Sequence, residues 1–154
     1  MKTLTRSSVV VVLFVVLVSF SSKRIELFDV ISIQVPSSLI SSEEYDFVNV
    51  ENGVVLEFRI TENMQYQPTM PKVDFDIIYN LELPESYTLK DKEIKEMSGL
   101  KIGIISIETD DESIMMFFTE IKGELLSVTL SGKIKYTDYI EEVFYEILNS
   151  VKKS

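Results

Sequence analysis

Acidic residues at two places in the chain have the chemistry to bind a hard metal cation. Asp74 and Asp76 are separated by one residue, and Asp110, Asp111 and Glu112 follow one another directly. Carboxylate oxygens are the ligands that Ca²⁺ prefers, but neither group has the ligand spacing of an EF-hand loop. We therefore interpret both groups as solvated turns or helix faces, and we predict no calcium site at either.

Methionine sulfur atoms could bind copper(I) in an exported protein. Met64 and Met70 lie near each other in one segment, and Met97 stands apart. The chain contains no histidine and no cysteine that would complete such a site. Met115 and Met116 fall within an apolar stretch, where flexible thioether side chains fill a core. The sequence therefore predicts no metal site and no cofactor.

The absence of histidine and cysteine also restricts catalysis. Ser-His-Asp and Cys-His nucleophile activation are excluded, so an enzyme would depend on carboxylates, lysine, tyrosine or a Ser-Lys pair. Among 25 acidic residues some pair meets a catalytic separation by chance. We therefore predict no catalytic residue and expect that the protein is not an enzyme.

One apolar segment between a predicted strand and a predicted helix is the candidate partner surface. It contains Met64, Tyr66, Pro68 and Met70 and has little charge. Apolar groups in a loop are unusual unless they serve binding, whereas tyrosines elsewhere in the chain are expected to pack at element edges. We predict that these four residues contact a protein partner.

Charge narrows the choice of partner. The 154-residue chain has 15 basic and 25 acidic residues, which give a net charge of −10. Such a surface repels phosphate backbones, so nucleic-acid binding is disfavoured. We expect a protein partner.

The N-terminal residues have the features of a secretory signal. Lys2 and Arg6 precede the apolar run Val9 to Val18, and a small-large-small boundary at residues 19–21 follows. This arrangement predicts cleavage after Ser21. Two alternatives remain open: an uncleaved anchor bordered by Lys23-Arg24, and a buried strand. In the anchored case, residues 9–18 would hold the domain at the cytoplasmic membrane.

The predicted organisation is a signal peptide or anchor at 1–21, a short linker at 22–27 and one α+β domain at 28–154. We expect the protein to be exported to the periplasm or the extracellular space. The membrane is contacted only through the N-terminal segment, if that segment is uncleaved.

Alternation of apolar residues predicts several strands. Asn52-Gly53 predicts a two-residue type I′ hairpin turn. The apolar pattern around Gly99 to Glu108 indicates either a strand covered on both faces or a bulge near Ile104. The predicted strands lie at about 28–35, 45–50, 54–61, 99–108, 113–121 and 125–131, and an exposed strand at 87–96 is left open because its charge is mixed.

Two helices are predicted. A short one at about 71–81 begins at Pro71, with Val73, Ile77, Ile78 and Leu81 at helical spacing. A long C-terminal one has a continuous apolar stripe from Tyr136 to Val151 and a possible capping box at Asp138 and Glu141. The fold class is α+β: a mostly antiparallel sheet of about six strands with helices on both faces.

Four stretches carry a resemblance to a known family. They are Ile31 to Pro36, Glu112 to Phe118, Gly123 to Leu130 and Val143 to Val151. In order, they give a strand ended by proline, an apolar strand, a strand opened by glycine and a closing helix. The pattern over residues 28–152 resembles the Mog1/PsbP-like superfamily. That resemblance implies a non-catalytic scaffold that binds partners, as in photosystem accessory subunits and a small-GTPase-binding nuclear factor.

These observations favour an exported, non-catalytic accessory or binding domain whose partner is a protein at the outer face of the cytoplasmic membrane. One alternative is a small-ligand carrier with an apolar pocket between sheet and helix, because some strands are apolar on both faces. Another is a histidine-free hydrolase that depends on carboxylates.

Overall fold

A computed structural model describes residues 22–60 and 74–154 of the chain. Within these ranges there are ten strands, two α-helices and a 3-10 turn at Ile134–Tyr136. The helices are α1 (Phe75–Tyr79) and α2 (Thr137–Asn149). The strands are β1 (Lys23–Leu27), β2 (Ile31–Val35), β3 (Ile40–Ser41), β4 (Phe47–Val48), β5 (Val55–Ile60), β6 (Thr88–Met97), β7 (Leu100–Glu108), β8 (Glu112–Ile121), β9 (Glu124–Lys133) and β10 (Lys152–Lys153).

The strands form two antiparallel sheets. The larger has seven strands in the order β3-β4-β5-β9-β8-β7-β6, and the smaller has three in the order β1-β2-β10. Helix α2 contacts both sheets, and α1 contacts β7 and β8. The predicted α+β class with helices on both faces of an antiparallel sheet is therefore confirmed. The second, smaller sheet is an addition to the single six-stranded sheet that was expected.

Residues 23–27, which were predicted as a linker, form β1. Every residue of β1 pairs with β2, from Lys23 opposite Val35 to Leu27 opposite Ile31. Leu27 is buried in the core, and Arg24 donates a hydrogen bond of 2.7 Å to Ser32 Oγ. The alternation of charged and apolar residues suits a strand with one buried face.

The strand predicted from residue 28 begins three residues later, at Ile31. Phe28 and Asp29 have positive φ values of 53° and 55° and form the turn between β1 and β2. An extended strand cannot include two consecutive residues in this conformation. The turn lets β1 fold back on β2.

The predicted type I′ turn at Asn52-Gly53 is wrong, although the hairpin exists. Of these two residues only Gly53 has a positive φ, of 72°. The Gly53 amide donates to the Asn49 carbonyl (2.8 Å), and Asn49 Oδ1 accepts from the Glu51 (2.9 Å) and Asn52 (3.2 Å) amides. The loop is therefore longer than predicted, because the Asn49 side chain organises residues 50–53.

Three further local predictions are settled. Helix α1 begins at Phe75 because Asp74 caps it, and it ends at Tyr79, two residues before the predicted end. Asp138 lies inside the first turn of α2 and not at its cap, so the predicted capping box is absent. Strand β7 pairs regularly with β8, and the bulge lies instead in β6, between Leu89 and Asp91.

The main core lies between the larger sheet, α2 and the smaller sheet. The stripe predicted on α2 points into it, with Ile140, Val143, Phe144, Ile147 and Leu148 buried. Phe144 packs edge-on against Phe117 of β8, with ring centroids 5.9 Å apart. In the described part of the chain, no helix is both long and apolar enough to cross a bilayer.

Candidate partner-binding surface

The second face of the larger sheet has a smaller hydrophobic cluster than the first. Its buried members are Phe75, Ile105, Phe118 and Leu125. The rings of Phe75 and Phe118 lie 4.8 Å apart, so α1 is attached to β8 through an aromatic contact. Helix α1 has only five residues and is too short to cover a sheet of this width.

Helix α1 is positioned by polar contacts at its first turn. Asp74 Oδ1 accepts a hydrogen bond of 2.9 Å from the Ile77 amide, as an N-cap residue does. Glu120 of β8 accepts one of 3.4 Å from the Phe75 amide. The Lys101 ammonium lies 4.2 Å from the centre of the Phe75 ring and 3.9 Å from an oxygen of Asp76.

A shallow pocket of about 300 Å³ opens at this end of α1. Its lining is mainly charged: Asp74, Asp76, Glu120 and Lys101 surround the Phe75 ring. No group of His, Cys, Asp and Glu residues in 22–60 and 74–154 has an arrangement suited to a metal ion. The pocket gives α1 an acidic rim.

Four apolar side chains on this side of the larger sheet are exposed. Ile77 of α1 is 42% exposed and Leu81, just after it, is 58% exposed. On β6, Leu89 is 49% and Ile94 is 45% exposed. We call these four residues the α1 surface. The Lys92 ammonium lies 4.2 Å from the centre of the Tyr79 ring and links the end of α1 to β6.

The acidic residues singled out from the sequence occupy two separate places. Asp74 caps α1 and Asp76 lies beside it, whereas Asp110, Asp111 and Glu112 lie at the turn between β7 and β8. Thr109 Oγ1 accepts hydrogen bonds from the Asp111 (3.2 Å) and Glu112 (3.0 Å) amides. Both groups therefore have ordinary structural roles in a helix cap and a turn.

The methionines are similarly separated. Met115 is buried in the main core, and Met116, the next residue of β8, packs on the opposite face of the sheet. The predicted partner residues Met64, Tyr66, Pro68 and Met70 lie outside the described residues, between Ile60 and Asp74. Their role stays a prediction.

Sequence reasoning did not find the α1 surface. It placed Ile77, Ile78 and Leu81 on the apolar stripe of a longer helix. Of these, only Ile78 lies on the buried side of α1, together with Phe75 and Tyr79. The residue that could have revealed this surface is Asp74. Its side chain caps the Ile77 amide three residues later and so sets where the helix begins. The first helical residue in turn determines which side chains face inward.

A solved structure shares this architecture. The solution structure of cyanobacterial PsbP (CyanoP) from Synechocystis sp. PCC 6803 matches with a TM-score of 0.56 and 13% identity, over 87% of this chain and 93% of that one. A Pseudomonas aeruginosa protein of unknown function, described as a putative regulator, gives a TM-score of 0.46 and 14% identity, over 84% of this chain and 94% of that one.

No family model matches the sequence, and the comparison with curated proteins gives no match. The similarity to the cyanobacterial PsbP structure confirms the resemblance seen in the sequence at the level of a PsbP-like fold. Identity this low shows the fold alone, and function has to be argued from the surface of this chain.

Proposed function

We propose that this chain is an exported, non-catalytic accessory domain that binds a protein partner through the α1 surface. The observation that carries the proposal is the unequal covering of the larger sheet. Helix α2 and the smaller sheet bury one face, whereas on the other face the described residues provide a five-residue helix and leave four apolar side chains exposed. Clusters of exposed apolar residues with a polar rim are typical of interaction sites.

The rim of the α1 surface favours a partner with basic residues. Asp74, Asp76 and Glu120 outnumber the one lysine in the adjoining pocket. The whole chain is acidic as well, which would speed the approach of a cationic partner. The partner chemistry that fits is an apolar segment flanked by lysine or arginine.

The packing of the main core argues against the alternative of a small-ligand carrier. Ile102, Leu126, Ile140 and Phe144, which lie between the larger sheet and α2, are all at most 2% exposed. A cavity large enough for a ligand would expose the side chains that line it. The pocket beside α1 is lined mainly by charged groups, unlike the apolar pocket that this alternative requires.

A non-catalytic role is supported by composition. Without histidine and cysteine, the chain lacks the side chains that most often act as general bases or activated nucleophiles near neutral pH. The carboxylates beside α1 are already engaged, because Asp74 caps the helix and Glu120 accepts from the Phe75 amide.

The export part of the proposal makes a prediction about the N-terminus. Strand β1 begins at Lys23, two residues after the predicted cleavage position at Ser21. We expect the mature protein to start at Ser22, which leaves β1 intact. Sequencing of the N-terminus after cell fractionation checks this, and an intact chain recovered from the cytosol would contradict export.

Partner binding is tested by basic substitutions on the α1 surface. The double variant Ile77→Lys and Leu81→Lys places two positive charges against a partner with basic residues, so we expect at least about a tenfold loss of partner capture with an unchanged melting temperature. A photoreactive side chain at position 77 identifies what is captured in the cell.

Ile40→Lys is the matched control, because Ile40 is a similarly exposed isoleucine (50%) at the β3 edge of the sheet. It should leave capture unchanged. The proposal fails if position 77 gives no adduct, or if the control lowers capture as much as the double variant does.

A further inference from the structure

Strand β6 forms one edge of the larger sheet and is long enough to pair with another strand. It has ten residues, whereas β3 at the opposite edge has two. Its only strand neighbour among the described residues is β7. A long free edge presents a row of unpaired amide and carbonyl groups.

The turn between β6 and β7 determines which backbone groups face outward. Met97 pairs with Leu100 across a two-residue turn, in which Ser98 and Gly99 have φ values of 52° and 72°. The pair that closes such a turn is hydrogen-bonded, and hydrogen-bonded pairs then alternate along the strands. Lys92, Ile94 and Glu96 therefore direct their backbone groups away from β7.

A local contact agrees with this assignment. The Lys92 amide donates a hydrogen bond of 2.8 Å to Asp91 Oδ1 on its own strand. An amide already committed to β7 would not be oriented toward that carboxylate. The outward set is thus fixed by the turn and by this bond, which the Lys92 amide exchanges for an inter-strand hydrogen bond when a second strand pairs with β6.

The lysine side chains of β6 lie over the faces of the sheet and leave the edge open. Lys90 pairs with Glu108 (3.2 Å), Lys92 lies over Tyr79, and Lys95 pairs with Glu93 (2.9 Å). The hydrogen bond to Glu93 raises the pKa of Lys95. With three lysines and three acidic residues, β6 is neutral within an acidic chain.

The charges of β6 are self-complementary in one antiparallel register. Two copies related by a two-fold axis at Ile94 bring Lys92 opposite Glu96 of the second copy, and Glu93 opposite Lys95. An axis at Lys92, Glu93, Lys95 or Glu96 would instead place two like charges directly opposite one another, which destabilises a strand pair.

The backbone selects the same register. In an antiparallel pair, opposite residues direct their hydrogen-bonding groups either both toward the partner strand or both away from it. Lys92, Ile94 and Glu96 direct theirs toward the partner, and with the axis at Ile94 they pair only with one another. The bulge after Leu89 ends the regular stretch, which therefore runs from Asp91 to Met97.

We propose that two copies of this chain pair through β6, antiparallel and with the two-fold axis at Ile94. The two seven-stranded sheets then form one continuous sheet, and each contact occurs twice, as in an isologous interface. The two Ile94 side chains meet on the side of the sheet that carries α1. This pairing goes beyond the proposed partner binding: it shares Ile94 with the α1 surface, but its register depends on the backbone and the charges of β6.

Charge reversal in the full-length chain tests the register. Lys92→Glu or Glu96→Lys alone creates two repulsive pairs in each dimer, and we expect either to raise the dimer dissociation constant by about tenfold or more. The double variant restores opposite charges and should return the constant to the original value. Sedimentation equilibrium measures the constant, and circular dichroism confirms that each variant is folded.

Site-specific cross-linking provides the second measurement, since the chain has no cysteine of its own. Ile94→Cys should give dimers with a short bismaleimide, whereas Ile40→Cys, on the opposite edge, should not. The proposal is overturned if both variants cross-link equally, if single charge reversals leave the dissociation constant unchanged, or if the double variant fails to restore it.

Discussion

Replacing Gly103 with alanine is expected to lower the free energy of unfolding by about 3 kcal/mol. A Cβ atom at this position would lie 2.3 Å from Cζ of Phe118 and 2.7 Å and 2.8 Å from its two Cε atoms. The Phe118 ring is fully buried and packs against Phe75, so it has little room to move away. Chemical denaturation of the folded variant measures the change.

A second substitution separates this clash from the loss of glycine itself. Phe118→Leu in the Gly103→Ala background removes the ring atoms that the new methyl group would contact. We expect the double variant to be less destabilised than the sum of the two single changes. Additive losses would show that the Phe118 ring is not the cause.

Truncating Phe144 to alanine is expected to cost about 4 kcal/mol, because it leaves a cavity in the main core. Phe144 is 1% exposed and packs edge-on against Phe117, and it also contacts Tyr145 with ring centroids 5.4 Å apart. Helix α2 contacts both sheets, so its loosening affects the whole domain. Thermal unfolding should show one transition at a much lower temperature.

Glu146→Ala is the matched control for this prediction. Glu146 is exposed on the same helix, and alanine is a strong helix former, so we expect a change within about 0.5 kcal/mol. A similar loss in both variants would mean that helix stability, rather than packing of the Phe144 ring, sets the stability of the domain.

Elements whose apolar residues repeat at a regular spacing along their whole length could be predicted from the sequence. The stripe of α2 repeats over several turns, and its buried residues are those that the spacing indicated. The strand from Leu100 to Glu108 is covered on both faces, one of the two interpretations that its apolar pattern allowed. Long, regular patterns leave few alternatives.

Short elements could not be predicted, because a contact distant in the sequence creates them. Lys152–Lys153 has no strand-like composition, yet it pairs with Ser32 and Ile31 of β2. Lys23–Leu27, which was predicted as a linker, is a strand because it pairs with β2, and Leu27 is buried there. The smaller sheet therefore depends on pairing that no local pattern records.

The α1 surface was missed for a related reason. In a helix of one and a half turns, moving the first residue changes which side chains are buried. The Asp74 side chain sets that start, and so Phe75 takes the inward place that was assigned to Ile77. The fold could largely be predicted, whereas this surface depended on one capping hydrogen bond.

The position of β2 between β1 and β10 has a consequence for synthesis on the ribosome. The hairpin of β1 and β2 is complete once Val35 has left the exit tunnel, but β10 follows roughly 120 residues, or about 10 s, later. During that interval the nascent chain has an uncovered strand edge at Ile31 and Ser32. A chain that stalls in translation before Lys152 keeps this edge open and becomes a substrate for chaperones or aggregation.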